Sequence, residues 1–111
     1  MFDMFKKKPQ QTVVQEKVSY DTQVNRNLQG IDLEKTDLDK AIALYEQNIA
    51  EGFEGNHPYD RLAIIYHKQK RYEDEKRVLR RGIEVFSKLD RQDVPVKLQK
   101  FKDRLSKLEE S

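Results

Sequence analysis

The stretch from residue 58 to residue 86 constrains the fold more than any other part of the chain. Its apolar and aromatic residues recur at steps of three and four in two sets: Tyr59, Leu62, Ala63 and Tyr66, then Val78, Leu79, Ile83 and Phe86. This spacing places each set on one face of a helix. Tyr72 interrupts the rhythm between the two sets. The stretch therefore predicts two amphipathic helices joined by a tight turn, the first ending near Gln69.

Composition favours an all-α protein of one domain with a narrow buried seam along each helix. Only 36% of the 111 residues are hydrophobic, 38% are charged, and the chain has three prolines and four glycines. A chain of this length buries roughly two-thirds of its unfolded surface, which allows a modest core. Alternating β-branched runs, which a β-sandwich needs, are almost missing. The chain has no cysteine, which excludes disulfides, thiolate catalysis and thiolate metal sites.

Opposite charges collect in different parts of the chain, although the net charge is only +2. The segment from Asp32 to Glu54 holds seven acidic and two basic residues, whereas Lys68 to Arg91 holds nine basic and five acidic residues. Such a layout is typical of solvated helix faces. It can also steer partners or pair molecules head to tail.

Residues 1–18 are expected to form a flexible tail, because its lysine-, proline- and glutamine-rich part carries no helical period. Phe2, Met4 and Phe5 precede Lys6–Lys8, and such a cluster offers an alternative role as a peripheral contact with an anionic membrane surface. This order, apolar before basic, is the reverse of a secretory signal, and the apolar run is too short to span a bilayer. A cytoplasmic protein is therefore expected.

The first helix is predicted from Ser19 to about Ile31 with a thin apolar stripe. Its apolar residues are spaced by four, four and three: Tyr20, Val24, Leu28 and Ile31. The Ser19 hydroxyl is placed to accept a hydrogen bond from a backbone N–H that has no partner inside the helix. Gly30 predicts that the helix ends there or just after it.

Two further helices complete the predicted array. Thr36 and Asp39 resemble a capping box at the start of the second helix, Gly52 ends that helix, and Phe53 is expected to fold back onto it. The last helix is predicted over residues 93–109 and is expected to cap the domain. Its apolar residues are spaced by four, three, four and three: Val94, Leu98, Phe101, Leu105 and Leu108.

The sequence repeats itself with a period of 34 residues. Shifting the chain by this period aligns apolar residues with apolar residues: Leu28 with Leu62, Leu38 with Tyr72, Leu44 with Val78, Tyr45 with Leu79 and Ile49 with Ile83. A period of this length built from two helices is that of tetratricopeptide repeats.

The chain resembles the tetratricopeptide repeat family most closely in its best-marked pair of helices. The matching residues are Tyr59-x-x-Leu62-Ala63-x-x-Tyr66, then Tyr72-Glu73-Asp74, and later Leu79, Gly82 and Ile83. The resemblance implies a short array of antiparallel helical hairpins, with repeat-like units at about residues 22–55 and 56–89 and a C-terminal capping helix at about 93–109. The family has Ala and Pro where this chain has Glu75 and Ser87. We therefore expect Glu75 to turn toward solvent or to loosen the last hairpin.

No set of residues predicts an enzyme, a metal site or a cofactor. His57 and His67 are ten residues apart, and on a helix that separation is too large for both to bind one metal. The serines have no neighbouring histidine, and no glycine-rich stretch is followed by the Lys-Ser or Lys-Thr of a phosphate loop. Because no nucleophile, base and orienting group converge, we expect a non-catalytic protein.

By resemblance, the chain is expected to be a protein-binding scaffold or adaptor. Tetratricopeptide arrays bind peptides or proteins in a groove lined by the first helix of each pair. On this chain the corresponding face carries His57, Asp60, Arg61, Ile64, His67 and Lys68, with Arg71 at its edge. Ile64 is either an exposed contact anchor or a residue that packs under the N-terminal helix. Because two hairpins are few, a homodimer or a stable partner is expected to supply further burial.

A second hypothesis is a small nucleic-acid-associated protein. Basic side chains cover a broad face of the fourth predicted helix, where they can contact phosphates: Lys76, Arg77, Arg80 and Arg81. Acidic residues three and four positions away can pair with them instead. In that case the face is an ordinary solvated surface.

Overall fold

Five α-helices and no strand are formed by residues 18–110, the part of the chain that the computed structural model describes. The helices are α1 (Tyr20–Leu33), α2 (Leu38–Ala50), α3 (His57–Lys68), α4 (Tyr72–Phe86) and α5 (Val94–Glu110). The predicted all-α class is confirmed. The predicted tail, except for its last residue, lies outside the described residues, and so does the membrane contact suggested for Phe2 to Lys8.

Each helix packs against the next one, so that the helices form an array. α3 and α4 are antiparallel: the ring of Tyr59, near the start of α3, contacts Phe86 at the end of α4. At the other end of the pair, His67 of α3 contacts Glu75 of α4. α1 and α2 form the preceding hairpin.

The N-terminus of α1 agrees with the sequence, whereas that of α2 differs from it by one residue. Ser19 caps α1, since its hydroxyl oxygen accepts a hydrogen bond of 3.1 Å from the Thr22 N–H. The capping box predicted for Thr36 is wrong. Asp37 is the cap of α2, and its carboxylate accepts a hydrogen bond of 3.2 Å from the Lys40 N–H. A carboxylate at this place also interacts favourably with the helix dipole.

Gly30 lies inside α1 and does not end it, which corrects the predicted boundary. A Cβ atom at Gly30 would lie 2.5 Å from the ring of Tyr45, so this glycine allows α1 and α2 to approach closely. Tyr45 is completely buried. The glycine is therefore needed for helix packing.

The C-terminal end of α2 follows the prediction. Gly52 has φ +75°, a left-handed conformation that glycine adopts without strain. The Phe53 N–H donates a hydrogen bond of 3.0 Å to the Asn48 carbonyl, and the Phe53 side chain is buried. α3 ends with the same backbone pattern, but its left-handed residue is Lys70, with φ 59°.

Aromatic rings form the centre of the core where α3, α4 and α5 meet. The ring of Phe101 lies 5.8 Å from that of Tyr59 and 5.3 Å from that of Phe86, in edge-to-face arrangements that add to the energy of apolar burial. A Cβ at Gly82 would lie 3.1 Å from the Phe101 ring, which explains a small residue there. Other fully buried core residues are Ala41, Tyr45, Leu62, Ala63, Val78 and Leu79.

The 34-residue register aligns one pair of completely buried residues in α2 and α4, but it does not match burial in α1 and α3. Tyr45 and Leu79, which the shift aligns, are both completely buried. Leu28 is 56% exposed, whereas its aligned residue Leu62 is completely buried. The first helix of the earlier hairpin therefore packs through a different face from the one that its apolar stripe predicted.

Candidate binding cleft between α3 and α5

The residues predicted to line one groove face two different sides of α3. Arg61 points toward the first hairpin and donates two hydrogen bonds to the Glu34 carboxylate. Its Nε lies 3.0 Å from one carboxylate oxygen, and its Nη2 lies 2.5 Å from the other. His57 lies on the same side, with its Nε2 3.4 Å from the Tyr45 hydroxyl. Arg61 and His57 therefore join α3 to α1 and α2.

The ionisation of this junction follows from burial and hydrogen bonding. Burial opposes ionisation of Glu34, but hydrogen bonds from Arg61 and Tyr45 outweigh it and lower the pKa of the carboxyl group. Burial also lowers the pKa of His57, because the charged imidazolium is less well solvated there than in water. Both shifts favour a carboxylate beside a neutral histidine at neutral pH.

Asp60 and His67 lie on the opposite side of α3 and face α5. Asp60 accepts a hydrogen bond of 2.5 Å from Asn56 and lines a cavity of about 120 Å³ with Val96 and Lys100. His67 lines two adjoining cavities, of about 210 Å³ and about 460 Å³, which share the side chain of Leu108. We call the region between α3 and α5 that includes these cavities the α3–α5 cleft.

Glu75 forms the floor of the cleft at its His67 end, which corrects the expectation that it turns toward solvent. Only 2% of its surface is exposed. Its Oε1 accepts a hydrogen bond of 2.9 Å from Nδ1 of His67, and its Oε2 lies 3.8 Å from the Arg104 guanidinium. The acid is tolerated inside because α3 and α5 each supply a basic group. Nε of Arg104 is buried beside it and has no hydrogen-bond partner within residues 18–110.

The α5 side of the cleft carries a row of basic residues that the sequence interpretation overlooked. They are spaced by three, four and three and therefore share one helix face: Lys97, Lys100, Arg104 and Lys107. Lys97 pairs with Asp93 at 3.1 Å. Lys100 has no ion-pair or hydrogen-bond partner among residues 18–110. The spacing was visible in the sequence, but the apolar residues of the same helix led to an interpretation as a cap alone.

The remaining predicted groove residues differ in exposure. Ile64 is half-buried, so it stays a candidate both for contact with a partner and for packing. Lys68 and Arg71 are exposed. Arg71 hydrogen-bonds Asp74 at 3.0 Å, and its guanidinium lies 4.5 Å from the centre of the Tyr66 ring. Arg71 therefore stabilises the turn between α3 and α4.

Each basic residue of the alternative face on α4 is engaged by an acceptor. Arg77 forms a bidentate pair with Glu46, at 3.0 Å and 2.6 Å, which raises the pKa of its guanidinium. Arg81 binds the carbonyls of Ile49 and Ala50 at 2.9 Å and 3.0 Å. The other two pair with acids: Lys76 with Glu73 at 3.4 Å and Arg80 with Glu109 at 3.0 Å. This pairing leaves few donors for phosphates, and the nucleic-acid hypothesis stays a prediction.

His67 and Glu75 resemble the base and the orienting group of a hydrolase, but they lack a third member. Among the described residues, no hydroxyl group hydrogen-bonds the His67 ring. Residues 18–110 also contain no group of three or more His, Asp or Glu side chains placed to hold a metal ion. No helix within the same range has both the length and the apolar character needed to cross a bilayer.

Comparison of the chain with protein-family models, with curated proteins and with solved structures finds no match.

Proposed function

We propose that this chain is a non-catalytic, tetratricopeptide-like interaction module that binds a peptide or protein segment in the α3–α5 cleft. The observation that carries the proposal is the basic row of α5, whose members line two cavities beside α3, one of about 120 Å³ at Asp60 and one of about 210 Å³ at His67. A partner would place an extended or helical segment between the two helices. It would need no chemistry from the protein.

The lining of the cleft indicates the composition of the segment. Lys100 and Arg104 offer positive charge, whereas Val96 and Leu108 offer apolar surface at the two ends of the cleft. Acidic side chains would therefore pair with α5, and apolar side chains would occupy the ends. Charged contacts at the rim mainly steer association and set specificity, while buried apolar anchors supply most of the affinity.

The scaffold around the cleft is suited to hold this arrangement in place. Phe101 lies on the inner face of α5 and anchors that helix against Tyr59 and Phe86. The hydrogen bond between His67 and Glu75 fixes the opposite wall. Because buried rings hold one wall and a hydrogen bond to the buried Glu75 carboxylate holds the other, a ligand would lose little free energy in ordering the site.

Selection of short random peptides by phage display on the full chain tests the proposal. We expect the selected peptides to be rich in Asp and Glu and to contain at least one large apolar residue. Reversing one charge in Lys100→Glu is expected to weaken their binding about tenfold, with strong dependence on salt. Lys102→Glu is the matched control, because Lys102 is an exposed lysine on the same helix that does not line the cavities.

Three results would contradict the proposal. One is selection of no peptide above background, and another is equal weakening by Lys100→Glu and Lys102→Glu. The third is NMR chemical-shift changes that map to α1 or α2 and not to α3 and α5. The nucleic-acid hypothesis is tested beside it with duplex DNA and RNA. It predicts binding that is lost when Arg77, Arg80 and Arg81 are changed.

A further inference from the structure

α1 is attached to the rest of the array through its polar face. Asn27 is 7% exposed and its amide oxygen accepts a hydrogen bond of 2.9 Å from Asn48, which is completely buried. The Asn48 amide also donates a hydrogen bond of 2.8 Å to the Gln23 carbonyl. Arg26 bridges to Glu51 at 2.7 Å. The contact between α1 and α2 therefore combines the packing of Gly30 on the Tyr45 ring with these hydrogen bonds and one ion pair.

The apolar stripe of α1 lies beside this contact and stays largely exposed, except at Val24, which is half-buried. Tyr20 is 64% exposed, Leu28 56% and Ile31 43%, and Val24 lies between them on the same face. One face of the Tyr20 ring stacks on Phe53, with the ring centres 5.6 Å apart. We call these four residues the α1 stripe. An amphipathic helix that points its apolar side to water normally has a partner on that side.

The stripe is too small to hold two copies of the chain together by itself. A stable interface buries about 800 Å² on each partner, whereas four partly covered side chains on one short helix offer about half of that. A segment that is covalently tethered needs much less area, because its effective concentration is in the millimolar range. The area therefore favours an occupant from the same chain.

The residues that precede Val18 match the stripe in composition and in charge. They include the apolar group Phe2, Met4 and Phe5, and they carry lysines at two places, Lys6–Lys8 and Lys17. The stripe is flanked by acids at its two ends, Asp21 and Asp32, which are exposed and have no ion-pair partner among residues 18–110. A segment folded back along α1 would place Lys17 beside Asp21 and Lys6–Lys8 beside Asp32.

We infer that the α1 stripe binds the chain's own N-terminal segment, residues 1–17, with Phe2 and Phe5 on Leu28 and Ile31. The length of the segment allows this contact. The stripe extends about 16 Å from Tyr20 to Ile31, at 1.5 Å per helical residue. The residues between Phe5 and Tyr20 span up to about 45 Å when extended. The bound segment covers the apolar face that α1 leaves unpaired, on a surface separate from the α3–α5 cleft.

Paramagnetic NMR on the full chain tests this contact. A nitroxide is attached at the single cysteine of a Gln10→Cys variant, since the sequence contains no other cysteine. The amide signals of residues 24–31 are expected to lose most of their intensity, while those of α4 keep theirs. Uniform intensity over both helices would overturn the proposal.

Two double variants of the nitroxide-labelled chain distinguish binding of the N-terminal segment to the α1 stripe from mere proximity of the nitroxide to α1. Phe2→Ser with Phe5→Ser is expected to restore the α1 signals and to make α1 amides exchange about fivefold faster with solvent. Gln11→Ser with Thr12→Ser, which removes no apolar side chain, is expected to change neither. None of these residues belongs to the described helices, so the array keeps its fold. Equal effects of the two variants would contradict apolar docking.

A mixture of two samples shows whether the segment binds its own chain or a second copy. One sample carries the nitroxide but no ¹⁵N, and the other is ¹⁵N-enriched and carries no nitroxide. The proposal predicts that the enriched chain keeps its α1 signals. Loss of those signals in the mixture would show that a second copy provides the segment, and it would overturn the intramolecular contact.

Discussion

α1 and α5, the first and last helices of the array, are attached to their neighbours by different chemistry. α5 packs through Phe101, which is completely buried against Tyr59 and Phe86. α1 packs through Asn27, which hydrogen-bonds Asn48. At each junction a glycine lets a helix backbone approach an aromatic ring: Gly30 approaches Tyr45, and Gly82 approaches Phe101. The α5 junction buries Phe101 against two further rings, whereas the α1 junction covers one ring, that of Tyr45, with the backbone of Gly30.

The α5 end of the array is expected to contribute more to stability than the α1 end. Burying a large aromatic side chain contributes several kcal/mol, whereas a hydrogen bond contributes a net of about 0.5–1.5 kcal/mol because water offers an alternative partner. Polar contacts are directional, so the α1 junction specifies geometry more than it adds stability. We expect α3, α4 and α5 to form the stable unit that supports the cleft. We expect α1 to open more readily.

The largest expected effect comes from breaking the α5 junction. Phe101→Ala removes the ring that meets Tyr59 and Phe86, and it is expected to lower the free energy of unfolding by about 3–5 kcal/mol. Urea denaturation followed by circular dichroism measures the change. Val96→Ala is the control, because Val96 is 65% exposed on the same helix and should change stability by less than about 0.5 kcal/mol.

Breaking the polar junction is expected to have a smaller and local effect. Asn48→Ala leaves the Gln23 carbonyl and the Asn27 amide oxygen without a buried partner, at a cost of about 1–3 kcal/mol. Amide exchange should speed up in α1 and stay unchanged in α4. Asn25→Ala, which removes an exposed amide side chain from α1, should alter neither. Faster exchange throughout the chain would mean that α1 is not a separate unit.

The junction of α1 with α3 is expected to weaken with acidification in two steps. Since burial lowers the pKa of His57, the unfolded chain binds more protons there, and stability falls as the pH drops through about 6.5. Glu34 also has a lowered pKa, so its contribution is present above about pH 4.3 and is lost below that value. Urea midpoints between pH 8 and pH 3 measure both steps. His57→Gln should remove the upper step, and Glu34→Gln should reduce the lower one, to which Glu51 and Asp74 also contribute because their pKa values are lowered too. An upper step that survives His57→Gln, or a lower step that Glu34→Gln leaves unchanged, would refute the assignment.

The smallest effect concerns the turn between α3 and α4. Lys70 has φ 59°, a left-handed conformation that costs about 1 kcal/mol for a residue with a Cβ atom. Lys70→Gly relieves this strain but adds freedom to the unfolded chain, so we expect a gain of about 0.5 kcal/mol. Gly52→Ala is the converse test at the matching turn after α2 and should destabilise the protein. A loss of stability in Lys70→Gly would contradict the strain argument.

The sequence predicted the existence of the helices better than it predicted their packing faces. Apolar spacing identified all five helices, because spacing depends only on the local period. It misplaced the packing face of α1, since the stripe of Leu28 and Ile31 is apolar while the actual contact uses Asn27 and Gly30. Polar contacts of this kind have no periodic signature. The contact of Asn27 can be recognised only from the structure, which places Asn48 of α2 within hydrogen-bond distance.

The candidate site was predictable in part. Asp60 and His67 were expected on one face of α3, and both line the cleft. His57 and Arg61 were expected there too, but their partners Tyr45 and Glu34 belong to other helices, and a single sequence does not show which distant acid an arginine will reach. Glu75 was misjudged for the same reason. Its burial depends on His67 and Arg104, which are distant from each other in sequence.

Native-state hydrogen exchange measured residue by residue tests the central comparison most directly. Amides in the middle of α1 are expected to exchange through an opening whose free energy is at least about 1 kcal/mol lower than that of α3, α4 and α5. Low urea should leave the α1 opening nearly unchanged, because little surface is exposed in it. Equal protection in all five helices, with the same dependence on urea, would show that α1 is held as firmly as α5.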